Sequence, residues 1–260
     1  MVLFIFRAIS ATLIFWLLSL WGKRETVPGK DLLRMCGASL LGLVIPQMTF
    51  LFAITMTAPI DLSVVQSITP IMTMFVAAIF LKEPITIKKA SGVGISFVGV
   101  LWLILQSAQG SLGGSNLWGI VLTVLNSTSF ALYLGICRPV IQRYSVVTLM
   151  KWMFLFATII VLPFASSGMF ALDYSAVPSL VWWEIAYLIL FATVLAYFLI
   201  PVGQQRIRPT LVSMYGYLQP IIAAVVSASI GMDRMTFTKI LAAILVFAGV
   251  AIVNNSRARS

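Results

Sequence analysis

Six residues in two short stretches combine hydrogen-bonding side chains with a proline, inside runs that are otherwise apolar. They are Gln66, Thr69 and Pro70 in SVVQSITPIM, and Tyr215, Gln219 and Pro220 in SMYGYLQPII. Amide, hydroxyl and phenol groups donate and accept hydrogen bonds, which suits reversible binding of a small polar molecule. Each proline removes one backbone hydrogen bond from a helix and so frees a carbonyl oxygen beside these side chains. We therefore take the six residues as a candidate substrate-binding site in which the two prolines break their helices.

A third polar group, NSTSFALY, occupies residues 126–133. Asn126, Ser129 and Tyr133 are spaced three and four residues apart and so lie on one face of a helix. If these runs cross a membrane, polar side chains should face the inside of a helix bundle or a wet cavity. Two interpretations stay open for all three groups: they line a cavity that holds substrate, or they join helices through hydrogen bonds. Asn126 and Tyr133 are added to the candidate binding residues on the first interpretation.

Arg7 lies inside the first apolar run, VLFIFRAISATLIFWLLSLWG, towards its outer end. A charged residue within a membrane span is a functional candidate by default, here for holding an anionic substrate group at an outer mouth. Its long aliphatic stem also allows the charge to reach the outer surface without any role in binding. Both interpretations stay open. Gln47 and Tyr197 lie in the middle of two other runs and could complete the lining of the same cavity.

The residues for most enzymatic chemistry are missing from the sequence. It contains no histidine, no GxxxxGKS/T phosphate-binding motif and no HExxH motif. Cys36 and Cys137 stand in separate segments without the spacing of metal ligands. The sequence therefore predicts a protein that is not an enzyme and has no catalytic residue, cofactor or metal. The net charge of +10 is scattered in ones and twos, so no nucleic-acid partner is expected.

The elements that must position these residues follow from the composition. Of the 260 residues 61% are hydrophobic and only 9% charged, and the mean hydropathy is +1.07, far above that of a soluble domain. Apolar runs of about 20 residues are long enough to cross the bilayer as helices. The fold class predicted is an all-α polytopic integral membrane protein with nine transmembrane helices. They are residues 2–21, 33–57, 61–81, 89–106, 117–138, 147–165, 181–203, 209–231 and 237–254.

An internal repeat relates the two proline-containing stretches. Identical residues recur at a constant offset of 150, without a gap. The pairs are Pro59 and Pro209, Ser63 and Ser213, Pro70 and Pro220, Thr86 and Thr236, Lys89 and Lys239, Phe97 and Phe247, Gly99 and Gly249, and Val100 and Val250. By the same offset, the partner of the span at 117–138 would precede residue 1. The intact pattern is two repeats of five helices, which must enter the membrane from opposite sides.

The repeat divides the chain into four predicted parts. Residues 1–108 form the first repeat with four of its five helices, and residues 109–116 form a Gly/Ser-rich linker. Residues 117–255 form the complete second repeat, and residues 256–260 form a tail. Alternate connections, beginning with the one after the first span, hold most of the Lys and Arg residues, whereas the other side holds only Arg234 and Lys239. Positive charge favours the cytoplasmic side, so a cytoplasmic C-terminus is predicted.

Two features of residues 83–99 have structural interpretations. Glu83 lies in a loop with Lys82, Lys88 and Lys89, where an ion pair that fixes the loop is expected. The stretch GVGISFVG, residues 92–99, places small residues along one helix face, which allows another helix to approach closely.

The first copy of the repeat, PIMTMFVAAIFLKEPITIKKASGVGISFVGV, resembles the signature of the EamA-type members of the drug/metabolite transporter superfamily. The matching residues are Pro70, Phe80, Leu81, Glu83, Thr86, Gly92, Gly99 and Val100. The second copy keeps Pro220, Thr236, Gly249 and Val250 but has Asp233 in place of the Glu and Ala242 in place of the first Gly. The resemblance covers nearly the whole chain, which lacks the first of the family's ten helices.

This resemblance implies a secondary transporter of the bacterial plasma (inner) membrane. Family members mostly export amino acids, other metabolites or drugs through a central cavity by alternating access. The expected partners are a small-molecule substrate, the lipid bilayer and a second copy of the chain in a homodimer. Two alternatives stay open: a carrier or flippase for a nucleotide sugar or lipid-linked sugar, and a non-transporting scaffold or inactive truncated copy.

Overall fold

The computed structural model of the chain describes residues 2–22, 25–57, 59–107, 117–171, 178–229 and 237–256. These ranges contain α-helices, two π-helical turns and one 3-10 turn, and no strand. The prediction of an all-α protein is therefore confirmed for the described part of the chain. The predicted linker, 109–116, and all but the first residue of the predicted tail lie outside the described residues.

The α-helices overlap the predicted apolar segments, except for Arg138–Arg143, which lies in a predicted connection after its first residue. In chain order they are α1 (Val2–Trp21), α2 (Gly29–Ser39), α3 (Ile45–Met56), α4 (Pro59–Gln66), α5 (Thr69–Phe80), α6 (Ile87–Ser107), α7 (Leu117–Ile136), α8 (Arg138–Arg143), α9 (Val146–Ala171), α10 (Ser179–Ile189), α11 (Ala196–Arg206), α12 (Pro209–Met214), α13 (Leu218–Ser229) and α14 (Phe237–Asn254). Proline begins several of them, because its fixed φ suits the first helical turn and its missing N–H costs nothing there.

Five helical stretches in the described residues are long and apolar enough to cross a membrane. They are Val2–Trp21, Gly29–Met56, Leu117–Ile136, Val146–Phe164 and Ser179–Arg206. The other four predicted segments are not among these five, so the count of nine stays a prediction. Two of those segments are interrupted near their centres, by the breaks between α4 and α5 and between α12 and α13.

The interruptions of the helices occur in pairs. π-Helical turns at Leu40–Val44 and Leu190–Leu195 connect α2 to α3 and α10 to α11. The turn at Ser67 and Ile68 separates α4 from α5, and a 3-10 turn at Tyr215–Tyr217 separates α12 from α13. The two π-turns begin at residues 40 and 190, which are 150 positions apart in the sequence. Ser67 and Tyr217, which lie in the other two interruptions, are also 150 positions apart. The offset found in the sequence thus recurs in the irregularities of the backbone.

The chain forms two compact units. One comprises Met1–Met48 and Cys137–Arg206, and the other comprises Thr49–Ile136 and Ile207–Ser260. Both units draw residues from both predicted repeats, so the repeat boundaries remain predictions.

The first unit is held together by the packing of α1 against α9. The ring of Phe15, which is fully buried, stacks on that of Phe154 with centroids 5.6 Å apart. The hydroxyls of Thr12 and Thr158 lie 3.0 Å apart, and Ser39 donates a 2.6 Å hydrogen bond to the carbonyl of Met153. Side-chain hydroxyls thus join helices inside an otherwise apolar core.

The second unit contains a close crossing of α6 and α14. A Cβ atom on Gly92 would lie 2.7 Å from the carbonyl oxygen of Gly249, and one on Gly99 would lie 2.9 Å from that of Ala242. At the offset of 150, Gly249 is the equivalent of Gly99 and Ala242 that of Gly92, so the two contacts are reciprocal. Between them Ser96 donates a 3.1 Å hydrogen bond to the carbonyl of Val246. The prediction that 92–99 is a close-packing face is confirmed.

Candidate functional site

At the break between α4 and α5, nearby side-chain hydroxyls donate hydrogen bonds to the backbone carbonyls. Pro70 has no N–H, so the carbonyl of Gln66 loses the donor that an uninterrupted helix would supply. The hydroxyl of Thr69 donates to this carbonyl at 2.6 Å, and that of Thr73 donates to the carbonyl of Thr69 at 2.8 Å. The carbonyl that the proline frees is therefore capped within the helix. Thr69 contributes to the break itself, and its oxygen remains an acceptor.

The second break is joined to the first by a tyrosine. Tyr217 is only 2% exposed, and its hydroxyl donates a 2.7 Å hydrogen bond to the carbonyl of Ser67, which is also buried. The two residues differ by the repeat offset of 150. Burial of a phenol requires such a partner, because an unsatisfied buried hydroxyl is costly. Tyr217 therefore has a structural role in holding the two helix breaks together.

The six polar candidates differ in how open they are. Tyr215 is 51% exposed and Gln219 is also exposed, whereas Gln66, Thr69 and Asn126 are half-buried. Tyr133 is 3% exposed, and its ring lies against Phe130 with centroids 5.9 Å apart. All six belong to the second unit, in which α5 packs against α7 and α12 packs against both. Thr69, Asn126 and Tyr133 therefore lie on helices that pack together, and Gln66 lies on α4, which also packs against α7. Tyr215 and Gln219 lie in the 3-10 turn and the helix that follow α12.

The two prolines are placed differently at their breaks. Pro70 is buried in the first turn of α5, whereas Pro220 is half-buried at the third residue of α13. Both positions lie directly after an interruption, in the first turn of a new helix. A backbone N–H at such a position has no acceptor within that helix, so a proline is tolerated there. The prolines thus start the second half of each broken helix.

Arg7 lies in a separate polar cluster within the first unit. Its Nε donates to the hydroxyl of Thr193 at 2.7 Å, one Nη donates to the side-chain oxygen of Gln47 at 3.4 Å, and the other to the carbonyl of Ala192 at 3.4 Å. The amide nitrogen of Gln47 in turn donates to the hydroxyl of Tyr197 at 3.4 Å. Gln47 and Tyr197 differ by the repeat offset of 150, and the structure brings them into contact.

The Arg7 guanidinium contacts the middle of another long apolar helix. The sequence placed the charge towards the outer end of its own run. In the structure it lies beside Thr193, midway along the 28-residue span Ser179–Arg206, about 20 Å from either end at 1.5 Å per residue. Thr193 belongs to a π-helical turn and donates its own hydroxyl hydrogen to the carbonyl of Leu188 at 2.9 Å. No sequence pattern indicates Thr193, which is a lone threonine in an apolar run.

A buried carboxylate near the start of α2 was not predicted. Asp31 is 2% exposed and accepts hydrogen bonds from Arg34 at 2.8 Å, Arg143 at 2.7 Å and the hydroxyl of Tyr144 at 2.7 Å. The hydrogen bond to this carboxylate raises the pKa of both Arg143 and Tyr144 above their ordinary values. Gln205 donates to the carbonyl of Tyr144 at 3.0 Å. This cluster anchors α2 to the segment that precedes α9.

The loop between α5 and α6 contains the expected ion pair. The ammonium group of Lys89 lies 2.9 Å from a carboxylate oxygen of Glu83, and Lys89 is 1% exposed. A buried lysine needs such a partner, because an isolated charge is costly away from water. The prediction that Glu83 fixes this loop is confirmed.

The apolar helices that are long enough to cross a bilayer define an integral membrane protein. The sequence profile of the EamA-like transporter family matches residues 1–105 and 117–255. The chain belongs to this family.

The chain is also similar to proteins named as transporters and to a protein of known structure. The uncharacterized transporter YyaM of Bacillus subtilis strain 168 is 22% identical, with 94% of this chain and 80% of that protein covered. An uncharacterized transporter of Archaeoglobus fulgidus is 23% identical over 96% of this chain and 87% of its own. A protein known by its crystal structure is similar with a TM-score of 0.78 at 14% identity, covering 98% of this chain and 89% of that one. At that identity the likeness concerns the fold alone.

Proposed function

We propose that this protein is a secondary transporter that exports small organic metabolites, amino-acid-like or drug-like, by alternating access. The observation that carries the proposal is the pair of broken helices joined by Tyr217 and Ser67, with exposed polar groups on Tyr215 and Gln219 beside the break. Broken helices near the middle of the membrane are typical substrate sites of inverted-repeat transporters. Exposed amide and phenol groups in an apolar span require a wet cavity or a polar ligand.

An inverted repeat is part of the proposal. Two copies related by a two-fold axis bring a residue into contact with its own equivalent only close to that axis. Three hydrogen bonds join such residues at the offset of 150, within one unit or the other. They connect Gln47 with Tyr197, Ser67 with Tyr217, and Ser96 with Val246. These bonds and the reciprocal contacts of Gly92 and Gly99 support repeats of opposite orientation.

The chemical character of the proposed binding residues favours an amphipathic or aromatic substrate. The second repeat contributes the exposed ring of Tyr215 and the amide of Gln219, and the first contributes the amide of Gln66 and the hydroxyl of Thr69. Aromatic rings bind apolar and aromatic groups, while amides and hydroxyls bind polar ones.

The function can be tested with variants of the two glutamines. Media of cells that express the chain should accumulate a compound that media of cells lacking it do not. Gln66→Ala and Gln219→Ala should each lower the efflux of that compound by about 2- to 10-fold, since a hydrogen bond contributes about 0.5–1.5 kcal/mol. The matched control is Gln142→Ala, an exposed glutamine of α8 outside the broken helices. Efflux unchanged in both site variants would leave the glutamines with a packing role only.

The proposed topology, with the C-terminus in the cytoplasm of a bacterial cell and the chain in the inner membrane, predicts which loops are accessible from outside. In a variant without Cys36 and Cys137, a cysteine introduced at Ser111 should react with an impermeant maleimide in spheroplasts with an intact inner membrane. A cysteine introduced at Gln142 should react only after permeabilisation. The reverse pattern would invert the topology.

A further inference from the structure

Arg7 carries a charge that its protein partners do not neutralise. Its three hydrogen bonds go to a hydroxyl, an amide oxygen and a backbone carbonyl, all of them neutral. Among the described residues no carboxylate lies within 4.0 Å of the guanidinium. Ionised side chains within a membrane span pair with an opposite charge or with backbone carbonyls, and only an opposite charge balances the net positive charge of Arg7. An anion bound to the guanidinium would balance this charge.

An anion would accept hydrogen bonds from the two terminal nitrogens of the Arg7 guanidinium. Nε is taken by a short bond to Thr193, at 2.7 Å, whereas both terminal nitrogens make only long bonds of 3.4 Å. The two terminal nitrogens are the pair that binds carboxylates and phosphates bidentately. The short bond to Thr193 fixes the orientation of the guanidinium. Because Arg7 is only half-buried, its terminal nitrogens are not enclosed by the protein.

A second donor stands close to the first. The hydroxyl oxygen of Tyr197 accepts the hydrogen bond from Gln47, and its own hydrogen has no acceptor among the described residues. The ring of Tyr197 is held edge-to-face against Phe154, with centroids 5.6 Å apart. Gln47 bonds to both Arg7 and Tyr197, so it fixes the two donors relative to each other.

We propose that Arg7 and Tyr197 bind the carboxylate of a singly charged molecule, which, if the proposed function is right, is the molecule that is carried. A carboxylate has one negative charge and two coplanar oxygens, which match one guanidinium fork and neutralise one positive charge. A phosphate monoester carries about −1.5 to −2 charges at pH 7, more than this single arginine balances. Neutral molecules would leave the arginine unpaired.

The test measures binding rather than transport, so that it can fail independently of the proposed function. The thermal unfolding midpoint of the purified chain is followed with 3-phenylpropionate, 3-phenylpropanamide and phenyl phosphate. A ligand that binds only the folded state raises the midpoint in proportion to its occupancy. We expect stabilisation by the carboxylate and little by the amide or the phosphate.

Variants of Arg7 and Tyr197 test whether the stabilisation by the carboxylate arises from binding at these two residues. Arg7→Gln should weaken carboxylate binding by at least about tenfold, as expected for a charged hydrogen bond. Tyr197→Phe keeps the ring packed on Phe154 and should weaken it by a smaller factor, and it serves if Arg7→Gln does not fold. Arg206→Gln, the same change at an exposed arginine at the end of α11, is the control and should bind as the unaltered chain does.

Three results of these measurements would overturn the proposal, and a fourth would replace the carboxylate by another ligand. They are no stabilisation of the folded chain by the carboxylate, equal stabilisation by acid and amide, or retention of the carboxylate effect in Arg7→Gln and Tyr197→Phe. A preference for phenyl phosphate would reassign the site to phosphate esters and equally reject the carboxylate. Carboxylate binding without any transport would preserve this site and refute the proposed function instead.

Discussion

Replacing Gly92 by leucine is expected to reduce the yield of folded protein severely, whereas the same replacement at Gly94 should be tolerated. A Cβ atom on Gly92 would lie 2.7 Å from the carbonyl oxygen of Gly249, 2.7 Å from a methyl group of Val253 and 3.1 Å from its backbone nitrogen. Two of these neighbours are backbone atoms, so they cannot move aside without separating the helices. On Gly94 a Cβ would meet nothing within 4 Å.

The expected cost of Gly92→Leu follows from the loss of the α6–α14 contact. Overpacking of a well-filled interface costs about 1–3 kcal/mol and sometimes more. Separation of the two helices would also remove the hydrogen bond from Ser96 to the carbonyl of Val246. The measurement is the fraction of detergent-extracted protein that elutes as a single species, together with its thermal midpoint. Equal behaviour of Gly92→Leu and Gly94→Leu would contradict the close crossing.

Replacing Asp31 by alanine is expected to lower the thermal midpoint more than any other single loss of a carboxylate in the described residues. Asp31 accepts hydrogen bonds from Arg34, Arg143 and Tyr144 and is 2% exposed. Without it the two exposed arginine side chains can turn to water, but the hydroxyl of Tyr144, which is 8% exposed, loses its acceptor. The control is Glu184→Ala, which removes an exposed carboxylate from the same unit.

The same cluster predicts a dependence on alkaline pH. The hydrogen bond to Asp31 raises the pKa of Tyr144 above its ordinary value of 10.0. A group whose pKa is raised by folding stabilises the protein fully below its unfolded pKa, and this stabilisation is lost as the pH rises through the folded value. The difference in midpoint between the unaltered chain and Tyr144→Phe should therefore be constant below about pH 10 and shrink above it. A difference that grows above that pH would contradict the assigned hydrogen bond.

The fold was largely predictable because membrane helices are encoded by composition. A run such as residues 2–21 has no alternative to a helix in hydrocarbon, since each backbone N–H must find its partner within the segment. Proline marks the breaks at Pro70 and Pro220 for the same local reason. The π-turn at Leu190–Leu195 has no such signal, because the residues LFATVL are as compatible with a regular helix.

The candidate site was predictable only in part. Tyr215 and Tyr217 stand two residues apart in the same polar stretch, but the sequence gives no indication that one is 51% exposed and the other 2% exposed. That difference arises from the 3-10 turn, which sets the directions of the two side chains. Asp31 was overlooked because two of its partners, Arg143 and Tyr144, are more than 100 residues away in sequence. Such long-range hydrogen bonds depend on helix packing, which no local pattern contains.

Transport of a small organic metabolite by the purified protein tests the proposed function most directly. The chain is reconstituted into liposomes loaded with the compound that accumulates in the medium of expressing cells, and uptake of labelled compound in exchange for it is followed. The account predicts transient accumulation of label above that in empty liposomes, reduced in the Gln66→Ala and Gln219→Ala variants. Accumulation equal to that of empty liposomes, with protein that is folded and inserted, would contradict it.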